Sequence, residues 1–169
     1  MDELYELYQE IILDHNRNPR NACKLKHPTH AADGHNPLCG DELTVYLNVE
    51  NGTVKDVSFT GQGCAISKAS ASLMTTVVKG LTLKQLALET SRFYKLLTDD
   101  ADQPTGTGLD ELGDLAALSG VRRFPVRIKC ATLPWHALEA ALKSKLPAEG
   151  SDSTTPTLRP KISTETKEG

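Results

Sequence analysis

The amino-acid sequence predicts a fold of the α+β class, in which a β-hairpin is combined with several helices. Two observations lead to this prediction. Apolar residues alternate with polar ones in two stretches joined by Asn51-Gly52, which is the pattern of an antiparallel hairpin. Before and after this hairpin, apolar residues recur at helical spacing instead.

Composition limits the class of protein. The chain has 169 residues, 38% of them hydrophobic and 24% charged, which suits one globular domain with its own core. A net charge of −3 and scattered cations argue against a nucleic-acid partner. No apolar run approaches the ~20 residues that cross a bilayer, and the acidic N-terminus does not resemble a signal peptide. We therefore expect a cytoplasmic protein with no membrane partner.

The N-terminal stretch predicts a helix that ends near Asn16, because its apolar residues recur at helical spacing: Leu4, Leu7, Tyr8, Ile11 and Ile12. From Arg17 to Leu38 no periodicity is visible, and Pro and Gly residues interrupt the segment. We expect a long irregular approach to Cys39.

The hairpin follows. Alternation from Leu43 to Val49 predicts a half-buried strand, and Asn51-Gly52 predicts a tight turn into a second strand over Thr53 to Thr60. Val54 is out of phase with the apolar positions of that second strand. This mismatch predicts either a β-bulge or a frayed strand start.

Cys64 is expected at the N-terminus of a helix. It follows Gly61-Gln62-Gly63 and precedes a run of small residues from Ala65 to Lys79, which Gly80 closes. Free N–H groups and the positive end of the helix dipole favour a thiolate there, the form that binds metals.

The remaining chain predicts further helices. Thr82 and Gln85 form the capping box of a helix that reaches Leu97. A polar insert spans Asp99 to Gly108, a short helix is expected from Leu109 to Leu118, and another begins at Pro125. Pro134 is expected to end that helix and to start a final one, which carries Trp135. From Pro147 the composition predicts disorder, so we divide the chain into a domain at 1–146 and a tail at 147–169.

Three cysteines and an aspartate carry the chemistry that the sequence suggests. Cys39 and Asp41 share a Gly-containing loop, while Cys64 and Cys130 lie far along the chain. Three thiolates and one carboxylate complete a tetrahedral shell, and sulfur ligands select zinc or iron–sulfur clusters over magnesium or calcium. Spacing alone leaves another interpretation open, because a cysteine is often a small buried hydrophobe and Asp41 could simply stabilise a turn.

Three motifs show a family resemblance that covers roughly residues 1–146. The chain resembles the IscU/NifU-type iron–sulfur assembly proteins through Asn36-Pro37-x-Cys39-Gly40-Asp41, Gly61-x-Gly63-Cys64-Ala65-Ile66-Ser67-x-Ala69-Ser70 and Arg127-Ile128-Lys129-Cys130. Two features are similar to the SufU-type branch of this family. One is the insert between about Thr98 and Phe124, and the other is Lys129, where the cluster-scaffold branch usually has a histidine.

The resemblance implies a fold, a cofactor and partners. The fold would be a small antiparallel sheet of about three strands packed by helices, with a metal site at one exposed end. Zinc would be held by Cys39, Asp41, Cys64 and Cys130. Cys39 would accept persulfide sulfur from a SufS-type cysteine desulfurase, a pyridoxal-phosphate enzyme, and pass it to an iron–sulfur scaffold or other acceptor. Arg127 and Lys129 would face the partner, although Arg127 could also be an ordinary surface cation.

Other functions stay open at this point. The same thiolates could assemble and transfer a [2Fe–2S] cluster, although Lys129 disfavours this scaffold function. A purely structural zinc site is a third possibility, whereas four protein ligands would leave no position for a hydrolytic water. The sequence does not decide whether a sulfur carrier of this kind acts as an enzyme.

Overall fold

The computed structural model describes residues 2–98, 112–146 and 160–164. Its elements, in chain order, are helix α1 (Asp2–Arg17), strands β1 (His30–Asn36), β2 (Asp41–Glu50) and β3 (Thr53–Gln62), helices α2 (Ala65–Val78) and α3 (Leu83–Thr98), a 3₁₀ helix (Gly113–Arg123), helix α4 (Pro125–Leu142) and strand β4 (Lys161–Ser163).

The described strands form one sheet in the order β3-β2-β1-β4. The first three strands pair antiparallel, as predicted, while β4 runs parallel to β1 and makes the sheet mixed. Asn51 and Gly52 adopt φ values of 52° and 73°, so the predicted tight turn is a primed one. The register shifts where Asn48 pairs with Asp56 and Val49 with Val54, which confirms a bulge near Val54.

Strand β1 lies inside the segment that was predicted to be irregular, so that prediction is wrong for His30–Asn36. This strand contains no β-branched or aromatic residue, and its local preference for a strand is weak. The strand forms because it pairs with β2 along its whole length. Its small residues let α4 pack closely, since a Cβ added at Gly34 would lie 3.1 Å from Leu133 Cδ1.

The core lies between the sheet and the helices. Large side chains that are fully buried include Val45, Leu47, Leu73, Met74, Phe93, Leu133 and Trp135. Phe93 on α3 and Trp135 on α4 stack with ring centroids 4.6 Å apart. Helix α1 adds the half-buried Ile11 and Ile12 to this core, which confirms the amphipathic helix predicted there.

Helix α4 continues through Pro134, so the predicted break between two helices is wrong. A proline inside a helix costs about 3 kcal/mol, but full burial of Leu133 and Trp135 beside it contributes a similar amount, about 1.5–3 kcal/mol each. Ser70 on α2 adds polar anchors at this point. Its hydroxyl donates to the Ala131 carbonyl at 2.5 Å and accepts the indole N–H of Trp135 at 3.2 Å.

Two other regions differ from expectation. The 3₁₀ helix continues to Arg123, beyond the predicted helix end at Leu118. Residues 109–111 and the polar insert lie outside the described residues. Within the predicted disordered tail, residues 160–164 are ordered on the sheet edge, held by backbone pairing and by Ile162 against the core. The remaining tail lies outside the described residues, and the domain boundary after residue 146 stays a prediction.

Candidate metal centre

Four elements bring the predicted ligands to one end of the sheet. Cys39 lies in the loop between β1 and β2, Asp41 begins β2, Cys64 directly precedes α2, and Cys130 lies in the second turn of α4. The sulfur atoms of Cys39 and Cys130 are 3.0 Å apart. One ligand atom each from Cys39, Asp41 and Cys130 lies within 4.8 Å of the others. Cys64 is not part of this three-residue group but lies beside it, with its Sγ 3.8 Å from Asp41 Oδ2.

Asp41 is fully buried, and both of its oxygens are engaged. Oδ1 accepts the backbone N–H of Cys64 at 2.7 Å, and Oδ2 accepts the side-chain amide of Asn36 at 3.3 Å. Gly63 makes this arrangement possible, because a Cβ at that position would lie only 2.5 Å from Asp41 Oδ1. The carboxylate is therefore oriented by the chain itself, with Oδ2 on the side of the sulfur atoms.

Cys64 is the N-cap residue of α2, as predicted from the sequence. Its backbone is extended, and its sulfur accepts the backbone N–H of Ser67 at 3.4 Å. The sulfur of Cys64 is thus held at the N-terminus of α2, close to the three other predicted ligands.

Cys130 is fully buried on α4. Burial raises the pKa of its thiol well above the ordinary value, and the hydrogen bond with Cys39 and the nearby charge of Cys64 raise it further. Without a metal, Cys130 therefore retains its proton at neutral pH. A bound metal ion would displace that proton, since metal ligation requires the thiolate.

Arg127 lies on the first turn of α4, and its guanidinium group is exposed. The negative charge of Cys64 raises the pKa of Arg127, desolvation acts in the opposite direction, and Cys130 and Cys39 add to the increase. The structure thus places this predicted partner-facing cation beside the three thiols. Lys129, the other predicted partner-facing residue, is half-buried next to Cys130.

Cys39 has the least regular surroundings of the four groups. Its side chain is half-exposed, and its backbone N–H donates to the Asn36 carbonyl at 3.3 Å within the loop. Gly40 follows with φ of +69°, a left-handed conformation that glycine adopts readily, and this turn separates Cys39 from Asp41.

Asn36 opens one of the three motifs, but its sequence position alone predicted no role for it. Asn36 is fully buried at the end of β1. Its side-chain amide donates to Asp41 Oδ2 and, at 3.4 Å, to Cys130 Sγ. The sequence signal that could have indicated this role is an asparagine at the start of a cysteine motif, in a segment without strand preference.

The donor set fits a thiophilic metal. Three sulfur atoms and one carboxylate, partly withdrawn from water, match the four-ligand shells that hold zinc, and thiolates also bind iron–sulfur clusters.

Among the described residues, no helix has the length and apolar character that a membrane span requires.

The fold and the site together define a small α+β domain that presents a cysteine-rich metal centre at one end of its sheet. Residues 7–144 match the family model described as the NifU-like N-terminal domain. The chain therefore belongs to this family, which comprises the IscU- and SufU-type proteins of iron–sulfur cluster assembly.

Some similar proteins are named sulfurtransferases and others are named scaffold proteins. Over 136 residues, the chain is 43% identical to the zinc-dependent sulfurtransferase SufU of Bacillus subtilis, covering 79% of this chain and 87% of the relative. It is 37% identical over 139 residues to the iron–sulfur cluster assembly scaffold protein IscU of Thermotoga maritima, covering 81% and 93%. The crystal structure of the N-terminal part of a NifU-like protein from Brucella abortus superimposes with a TM-score of 0.70 at 28% identity, covering 80% and 92%.

Proposed function

We propose that this protein is a zinc-dependent sulfurtransferase of iron–sulfur cluster biogenesis, which accepts persulfide sulfur on Cys39. The position of Cys39 carries the proposal. Asp41 is held by β2 and Cys130 is buried in α4. Cys39 and Cys64 are both partly exposed, but Cys64 is fixed as the cap of α2, whereas Cys39 lies in a loop. It is the sulfur that can reach a partner with the least disturbance of the fold.

Zinc, when bound by Cys39, Asp41, Cys64 and Cys130, would keep the three thiols deprotonated and fix the ends of four elements together. The transfer itself needs no oxidant or reductant. The Cys39 thiolate attacks the outer sulfur of a persulfide on the donor, the S–S bond of the donor breaks, and the donor cysteine leaves as a thiolate. The product is a persulfide on Cys39.

The donor in this proposal is a SufS-type cysteine desulfurase with pyridoxal phosphate, and the acceptor is an iron–sulfur scaffold or another sulfur-accepting protein. Three large apolar side chains near the site in sequence support protein docking there: Leu38, Phe124 and Val126 are 56%, 59% and 51% exposed. Arg127 adds a positive charge beside the thiols, suited to guiding an anionic persulfide.

The test is mass spectrometry of the zinc-loaded protein after anaerobic incubation with a cysteine desulfurase and cysteine. We expect one added sulfur atom on the peptide that contains Cys39, together with faster desulfurase turnover. Cys39→Ser should abolish the transfer. Cys23→Ser is the matched control, because Cys23 is exposed and lies outside the four-residue group. Normal transfer to the Cys39→Ser protein would show that Cys39 is not the acceptor.

A second function deserves a test because the relative from Thermotoga maritima is named a scaffold and the thiols also suit iron. As a scaffold, the protein would assemble a [2Fe–2S] cluster on the same residues. Anaerobic reconstitution that yields a stable, transferable cluster, without sulfur transfer to Cys39 in the zinc form, would favour this function over the sulfurtransferase.

A further inference from the structure

We infer that Thr164, in the C-terminal part of the chain, is a positioning residue for the metal centre, an inference that rests on the metal site of the proposed function. Thr164 lies beyond residues 7–144, the part of the chain that matches the family. The family resemblance therefore gives no reason to expect a contribution from this segment. The contacts around β4 provide the reason.

The backbone of the C-terminal segment fixes Thr164 beside the end of β1. Strand β4 pairs in parallel with β1, matching Lys161 to Asp33 and Ser163 to His35. A backbone hydrogen bond lies at each end of this pairing. The Asp33 N–H donates to the Pro160 carbonyl at 2.9 Å, and the Thr164 N–H donates to the His35 carbonyl at 3.0 Å. Thr164 is thus aligned next to Asn36, the last residue of β1.

The side chains continue this connection into the site. The Thr164 hydroxyl donates to Asn36 Oδ1 at 2.9 Å. The opposite end of the same amide donates to Asp41 Oδ2 at 3.3 Å and to Cys130 Sγ at 3.4 Å. One buried amide therefore connects the C-terminal strand to two of the four candidate ligands.

The hydrogen bond from Thr164 selects the orientation of that amide. Asn36 has a carbonyl end that only accepts and an NH₂ end that only donates. With Thr164 donating to the carbonyl end, the NH₂ end faces a carboxylate and a sulfur, both of which are acceptors in a metal-binding state. The reverse orientation would place the amide oxygen against these two groups. Thr164 and the ligands thus favour the same arrangement, which holds Asp41 and Cys130 in place.

Loss of the hydroxyl should weaken the metal site without removing a ligand. Outer-shell hydrogen bonds to metal ligands are typically worth 10–100-fold in metal affinity, and Thr164 acts one bond further out, through Asn36. We expect Thr164→Val to reduce zinc affinity about 3- to 10-fold. Valine retains the β-branched shape and strand preference of threonine, so β4 should stay paired.

The experiment compares zinc affinity of the full chain by competition with a chromogenic chelator, and the visible absorption of the cobalt-loaded protein, which reports ligand geometry. Thr164→Ser keeps the hydroxyl and should bind zinc within about twofold of the wild type. Thr98→Val removes a threonine hydroxyl from the end of α3 and serves as the matched control. Thermal unfolding of the metal-free proteins shows whether β4 and the fold are intact.

The inference would be overturned if Thr164→Val bound zinc as tightly as the wild type and gave the same cobalt spectrum. It would also be overturned if Thr164→Ser lost as much affinity as Thr164→Val, since the hydroxyl would then not be responsible. Sulfur transfer to Cys39 of the wild type is measured separately, so failure of the sulfurtransferase function is distinguishable. A wild-type chain that bound neither zinc nor cobalt would refute both proposals.

Discussion

Gly63→Ala tests whether the orientation of the buried carboxylate depends on the absence of a side chain at position 63. The new Cβ would lie 2.5 Å from Asp41 Oδ1 and 3.1 Å from both Asp41 Cβ and Cγ. These atoms are neither flexible nor exposed, because Asp41 is fully buried and begins strand β2. To restore ordinary contact, the carboxylate must move by about 1 Å or the Gly63 backbone must shift.

The magnitude follows from two contributions. Overpacking at a rigid site costs about 1–3 kcal/mol. Movement of Asp41 also stretches the 2.7 Å hydrogen bond from the Cys64 N–H, and hydrogen bonds to charged groups contribute about 1.5–3 kcal/mol. Because the two effects share one displacement, we expect a loss of about 2–4 kcal/mol in the free energy of unfolding. Zinc affinity should fall at least about tenfold, since a ligand is displaced.

Urea unfolding of the metal-free protein and chelator competition for zinc measure the two effects separately. Gly120→Ala is the matched control, because a Cβ at Gly120 meets no atom within 4 Å. If Gly63→Ala unfolded and bound zinc like Gly120→Ala, the close packing of Gly63 against Asp41 would not hold the site. A loss of zinc affinity with unchanged stability would instead indicate that the backbone moves and only the ligand geometry suffers.

Two further predictions concern hydrogen bonds away from the site. Burial, followed by the charge of Arg20, lowers the pKa of His15 below its ordinary 6.5, and the Ser72 hydroxyl contacts its Nδ1 at 2.7 Å. A histidine whose pKa is lowered by folding contributes stability above its ordinary pKa, and this contribution is lost as pH falls. The metal-free protein should therefore lose stability below about pH 6.5, and His15→Gln should lose less. If the free energy of urea unfolding fell equally with pH in both proteins, this prediction would be contradicted. Tyr94→Phe removes the hydroxyl that donates to the Glu139 carboxylate between α3 and α4. Thermal unfolding should report a loss of about 1.5–3 kcal/mol, whereas no loss would show that this bond contributes nothing.

The sequence predicted best the elements whose signals are local. The hairpin turn at Asn51-Gly52 depends on two residues that accept positive φ, and the N-cap position of Cys64 depends on a glycine-rich approach to a helical run. The capping box was also confirmed, with Thr82 and Gln85 exchanging hydrogen bonds of 3.0 and 3.1 Å. In each case, the interacting residues are close in sequence.

The features that were missed depend on contacts between distant residues. Strand β1 exists because β2 and α4 complete it, and α4 passes Pro134 because burial of its neighbours offsets the lost backbone bond. Strand β4 has three residues, too few for any periodicity. Spacing alone also left the metal site undecided, and the family resemblance was needed to select its four residues. The role of Asn36 became visible only from the contacts of its amide.

The position of Cys64 at the start of α2 has a consequence for oxidative damage. Oxidation of its thiol to a sulfinate would add negatively charged oxygens at a helix N-terminus, where the Ser67 N–H and the helix dipole stabilise such a group. The Cys64 sulfur would be lost as a soft metal ligand, while its side chain would still cap α2. We expect an over-oxidised chain that cannot hold its metal but melts like the unoxidised metal-free chain, because the cap of α2 is intact. Intact mass measured beside zinc content would reveal the damage, and thermal stability markedly below that of the unoxidised metal-free chain would contradict this reasoning.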